Sequence, residues 1–200
     1  MPNLPNNTLI PAARVPLWDK LTDYVSREWY RWFYNIYISV ENGRRYGSYY
    51  DTTTQTPAVI NTAYPITLNS TASKINDGPL QYGVYVGTPT SRVYVDIAAN
   101  YNIQFSLQLY SGSASTKVVT IWLRVNGTDV ADTATNFTLA ANDQAAVAAW
   151  NFLVNLGAGD YFELVWASDS VDVSIKSVAA AAPRPAIPGV ILTVTSLVGG

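Results

Sequence analysis

The chain has 200 residues, 48% of them apolar and only 13% charged, with a formal net charge of −2. That length fits one core of ordinary size with some chain left over, and the near-neutral balance gives no general pull towards nucleic acid or an anionic membrane. Cysteine and histidine are both absent, which excludes disulfides, thiolate chemistry, the commonest general base and the commonest transition-metal ligand.

The charge deficit leaves the polar surface to Thr, Ser, Asn and Gln. Few charges then keep copies of the chain apart, so self-association is expected. The N-terminus has no charged segment followed by an apolar run, so no signal peptide is read there. No apolar stretch reaches the ~20 residues of a spanning helix.

Residues 1–25 read as an extended Pro-rich docking arm. Pro2, Pro5, Pro11 and Pro16 each remove an amide donor and bias the preceding residue towards extended conformations. Leu4, Ile10, Val15 and Trp18 are interspersed with them, more apolar than a purely solvated tail would be. A loose terminus, or one wrapped on its own domain, is the competing reading.

Residues 26–43 predict a short helix crowded with Trp29, Tyr30, Trp32, Phe33, Tyr34 and Tyr37. Ser26 stands at the N-cap, Glu28 in the first turn, and Asn42-Gly43 at the stop. Val25 and Tyr30 are spaced for a hydrophobic staple. Val25, Trp29, Trp32, Ile36 and Val40 form one stripe, and Arg27, Glu28, Arg31 and Asn35 a narrow polar side. So aromatic a helix must be covered by its own domain, by copies of itself or by another protein. The candidate partner-docking residues are Leu4, Ile10, Val15, Trp18, Trp29, Tyr30, Trp32, Phe33, Ile36 and Tyr37. Residues 44–55, rich in Thr, Tyr and Gly, read as a linker.

From residue 56 to 200 the period changes to two. Segments 58–68, 78–95, 102–110, 117–125, 136–139, 145–156, 161–167 and 190–197 read as strands, with 171–175 as a shorter one. Asn126-Gly127 is a strong hairpin signal, and Gly157-Ala158-Gly159-Asp160 a turn. Short strands at regular spacing predict a mainly β fold, an antiparallel jelly-roll sandwich preceded by an extended arm and one short α-helix.

No catalytic constellation is visible. Asp129 with Asp132, and Asp169 with Asp172, fall at predicted turns, where Asp bonds locally, and lack the ligand number of a calcium loop. Glutamate occurs only at Glu28, Glu41 and Glu163, a poor supply for paired-carboxylate glycoside hydrolysis. No enzyme, cofactor or metal is expected. Tyr82, Tyr85, Tyr94 and Tyr101 are able to stack on sugar rings, although core packing accounts for them equally well.

Three segments taken together resemble the trimeric jelly roll of the complement globular-head and tumour-necrosis-factor family, in the version found on tailed-bacteriophage virions. They are TIWLRVNGTDVADT (residues 120–133), NFLVNLGAGDYFELVWAS (residues 151–168) and PGVILTVTSLVG (residues 188–199). No collagen-like or coiled-coil stalk accompanies them. Separately, VSREWYRWFYNIY is similar to a short N-terminal segment of phage structural proteins. The two resemblances imply a homotrimeric short fibre or decoration protein of a virion. It would be made in the host cytoplasm and attached through residues 1–42 to capsid or tail/portal adaptor proteins. The alternative is a receptor-binding module that recognises a cell-surface glycan.

Overall fold

The computed structural model describes residues 10–41, 44–73 and 78–197; of residues 38–41 only the backbone is described. The chain divides into two compact units, Met1–Arg44 and Arg45–Gly199.

The first unit holds a two-stranded hairpin, Trp18–Asp19 with Tyr24–Val25, and helix α1, Arg27–Glu41. The expected extended arm is therefore not extended over its described part. Val15 N–H donates back to Ala12 O at 2.8 Å, and the hairpin follows. The reason is local. Asp19 accepts from Leu21 N–H at 2.9 Å, and Asp23 adopts a φ of 59°, so two Asp residues make the turn.

Eight principal strands build the second unit: β1 Tyr46–Asp51, β2 Val93–Val95, β3 Ala99–Ser111, β4 Lys117–Val125, β5 Thr135–Leu139, β6 Gln144–Leu156, β7 Tyr161–Ser168 and β8 Val190–Ser196. One sheet runs β6-β3-β8-β1 and the other β5-β4-β7-β2, with all pairings antiparallel. The chain passes repeatedly from one sheet to the other, which is the jelly-roll arrangement. Short segments extend the sheets, among them Val84–Val86 beside β2 and Tyr64–Pro65 beside β7.

Alternation decides which side of each strand is buried. In β3, Tyr101, Ile103, Phe105, Leu107 and Leu109 face inward between Asn and Gln. They meet Val119, Ile121 and Leu123 of β4 and Phe162, Leu164 and Trp166 of β7 in a single core. Asn126 and Gly127 both take positive φ (49° and 80°) and join β4 to Thr128–Asp129, the primed turn their sequence predicts.

The stretch read as a linker, 44–55, contains β1, so the sandwich begins at Arg45 rather than at 56. Its inward positions are Gly47, Tyr49 and Asp51, which conceal the apolar alternation. Asp51, 1% exposed, is satisfied by Thr53 N–H at 2.6 Å and the Thr67 hydroxyl at 3.1 Å. Conversely, 58–68 supplies only the two-residue strand Tyr64–Pro65, and 78–95 breaks into three short strands.

Candidate functional site

The helix α1 begins where Ser26 O accepts the Tyr30 amide at 2.9 Å, so Ser26 takes the N-cap position. Its own amide donates to Leu17 O at 2.8 Å, which ties the helix entry to the hairpin. The Ser26 hydroxyl is buried without a hydrogen-bond partner, so the capping comes from the backbone and not from the side chain.

One strut joins arm and helix: Trp29 Nε1–H donates to Val15 O at 3.0 Å. Trp29 then meets Trp32 edge-on at 5.6 Å between ring centroids and Phe33 at 5.9 Å, while Tyr30 stacks on Tyr34 at 6.3 Å. Trp18 Nε1–H is held by Asp23 at 3.0 Å. Trp18 and Trp29 thus keep their polar atoms paired, which leaves their ring faces as the usable surface.

The sheltered line along α1 runs Trp29, Trp32 and Asn35 rather than Trp29, Trp32 and Ile36. Asn35 therefore does not belong to the solvated side. Tyr30, Phe33, Tyr34, Ile36 and Tyr37 stay exposed, Tyr30 at 64% and Tyr37 at 57%. Of the other candidate docking residues, Ile10 and Trp18 are exposed and Val15 is partly covered. Leu4 lies outside the described residues, as do Asn42-Gly43 and the side chain of Val40. Leu21, at the hairpin tip and 97% exposed, was not among the candidates. Its only sequence signal is its place between the two turn-forming Asp residues.

The sandwich carries a second surface of a different kind. Every outward side chain of β1, β8, β3 and β6 is uncharged; the row on β6 is Ala145, Val147, Ala149, Asn151, Leu153 and Asn155. Val147 and Leu153 are exposed there, and Asn151 and Asn155 donate to Asn102 and Asn100 at 2.9 and 3.0 Å. At this edge the inward Trp150 and Phe152 are only partly buried around Phe105, and Trp150 Nε1 has no hydrogen-bond partner.

The Asp residues at turns serve the fold's own hydrogen bonds, Asp129 locally and Asp169 across 51 residues. Asp129 accepts from Trp122 Nε1 at 2.9 Å and Arg124 Nε at 2.7 Å, and first Arg124, then Trp122, holds its pKa below the ordinary value. Asp169 accepts from Val118 N–H at 3.0 Å. Among the described residues no group of three acidic side chains is placed to hold a metal, and no helix is long and apolar enough to cross a membrane.

No protein-family model matches the chain, and no curated protein matches it. Crystal structures of murine APRIL at pH 8.5, pH 5.0 and pH 8.0 are 10%, 10% and 11% identical to it. Each covers 77% of this chain and 99% of its own, with TM-scores of 0.46, 0.45 and 0.46.

Proposed function

We propose that this protein is a non-enzymatic structural component of a tailed-phage virion, a short homotrimeric fibre or decoration protein anchored to the capsid or tail by its N-terminal unit. The observation that carries the reading is the aromatic face of α1. Tyr30, Phe33, Tyr34, Ile36 and Tyr37 stay open to solvent even after the hairpin has formed and Trp29 has bonded to the arm. Covering each of those side chains is worth about 1–2 kcal/mol, so a second surface that accepts them gains a stable attachment. Aromatic anchors grouped on one element are the pattern of an interface hot spot.

The uncharged face of the β6-β3-β8-β1 sheet supports self-association, since depletion of charge marks the centre of protein interfaces. Assignment to a phage particle rests on the resemblance of VSREWYRWFYNIY and of the three sandwich segments. The test is assembly in cells supplied with a chain that lacks residues 1–44. The truncated protein should fold and remain off the purified particles. Normal incorporation of the truncated chain would remove the anchor role from the N-terminal unit.

A further inference from the structure

A second cluster of aromatic side chains lies on the outward face of the other sheet and has no part in the anchoring proposal. Tyr85, Tyr94 and Tyr161 stand directly opposite one another on adjacent strands, Tyr85 paired with Tyr94 and Tyr94 with Tyr161. Their rings form a continuous row: Tyr85 and Tyr94 lie 5.5 Å apart and nearly parallel at 11°, and Tyr94 and Tyr161 lie 5.3 Å apart. Tyr85 sits on the short strand Val84–Val86, the last of its sheet, and is 47% exposed. Gly87 makes room for the Tyr94 ring, which a Cβ at that position would strike.

The row is fixed at its inner end. Arg92 lies over the Tyr161 ring at 4.5 Å and pairs with Glu163 at 3.8 Å. Glu163 is itself 5% exposed, although it stands on the outward side of β7, and accepts the Ser91 hydroxyl at 2.6 Å. A carboxylate buried there is costly, and its effect is to hold a guanidinium against the ring row.

The rings of the row face one another and Arg92 covers the last, so the open face is the outer one of Tyr85. We propose that this face stacks a pyranose ring of a neutral glycan, with the phenol hydroxyls along the row as hydrogen-bonding groups for the sugar's hydroxyls. The apolar C–H face of a sugar matches the electron-rich face of a tyrosine ring, while the phenol groups suit its hydroxyls. Arg92 is paired with Glu163, and Arg124 on the next strand is paired with Asp129 at 2.7 Å. Both described arginines on this face thus stand beside a carboxylate, which leaves little positive charge for a nucleic-acid backbone or an acidic sugar. Three rings offer at most about 150–250 Å² each, below the roughly 800 Å² per side of a stable protein partner. A single sugar ring needs no more.

The test is calorimetric titration of the full chain with cellotetraose, mannotetraose, chitotetraose and maltotetraose, together with an array of neutral and acidic glycans. At least one neutral glycan should saturate the protein with a Kd below about 1 mM. Tyr85→Ala should weaken it by about tenfold or more. Tyr82→Ala, an equally exposed tyrosine paired with β1 on the opposite sheet, should leave it unchanged. Circular dichroism and thermal melts establish that both variants fold. Binding of acidic glycans alone, no saturable binding on the array, or equal losses in the two variants would each overturn the proposal.

Discussion

Tyr101 has no exposed surface, and its hydroxyl donates to Ile97 O at 2.9 Å. A phenol in that position cannot stack on a ligand, so it leaves the set of tyrosines that the sequence offers for sugar binding. Burial first, and then the Asp96 carboxylate, push its pKa up to about 12 from 10.0. The folded state therefore holds the proton while the unfolded chain releases it near pH 10. The stability this group contributes is complete below that pH and falls as pH rises from 10 towards 12. Tyr49 shifts in the same direction through burial, and its hydroxyl donates to Val84 O at 2.7 Å. Alkaline unfolding should accordingly begin above pH 10, with the two buried phenols ionising only as the sandwich opens. Tyrosinate absorbance recorded beside far-ultraviolet dichroism checks this. Tyr101→Phe should cost about 1 kcal/mol at neutral pH for the lost hydrogen bond and flatten the alkaline limb of the stability curve. An unchanged limb would remove Tyr101 as its source.

Strands were legible in the sequence where one side of the alternation is plainly apolar. β3, β4 and β7 show Ile, Leu, Val and Phe at every second position, and their expected ranges fall inside the observed ones. β1 was not legible, because its inward positions are Gly47, Tyr49 and Asp51, and what makes them tolerable is long-range. Tyr49 bonds to Val84 O, 35 residues away, and Asp51 to Thr67, 16 away. The aromatic crowding of α1 was legible, but its sheltered line was not, since the turn that brings Val15 O to Trp29 depends on Asp19 and Asp23. The outward row of β6 is where element-level chemistry makes a prediction. Leu153, 66% exposed, lies on the edge strand of this uncharged surface, opposite Asn102. Leu153→Lys leaves the monomer's core untouched, so its melting temperature measured at high dilution should not fall. In an oligomer built on this face each copy would bury an unpaired ammonium, at about 3–5 kcal/mol. Light scattering should show the wild-type chain as a trimer and the variant as a monomer at the same concentration. A variant that remains trimeric would move the interface to another face.

At the scale of the molecule, the two units differ in how much of their own apolar surface they cover. The sandwich core runs from Tyr49 to Val194. The first unit, Met1–Arg44, is below the ~60 residues that usually bury a sufficient core alone, and its helix keeps most of its rings in water. Its stability therefore depends on whatever covers α1. The tryptophans report on the two units separately: Trp18, Trp29 and Trp32 belong to the first, and Trp122, Trp150 and Trp166 to the second. Trp166 is 1% exposed, whereas Trp18 is half exposed. Urea unfolding of the full chain should then give non-coincident transitions. The helical dichroism and the fluorescence of the first three tryptophans should change at low denaturant, and the sandwich signal at a later, steeper midpoint. Residues 45–200 alone should keep the unfolding free energy of that later transition to within about 0.5 kcal/mol. A single coincident transition in the full chain, or a large fall in the midpoint on truncation, would mean that the helix stabilises the sandwich. Its aromatic face would then be committed within the chain and not held open for a partner.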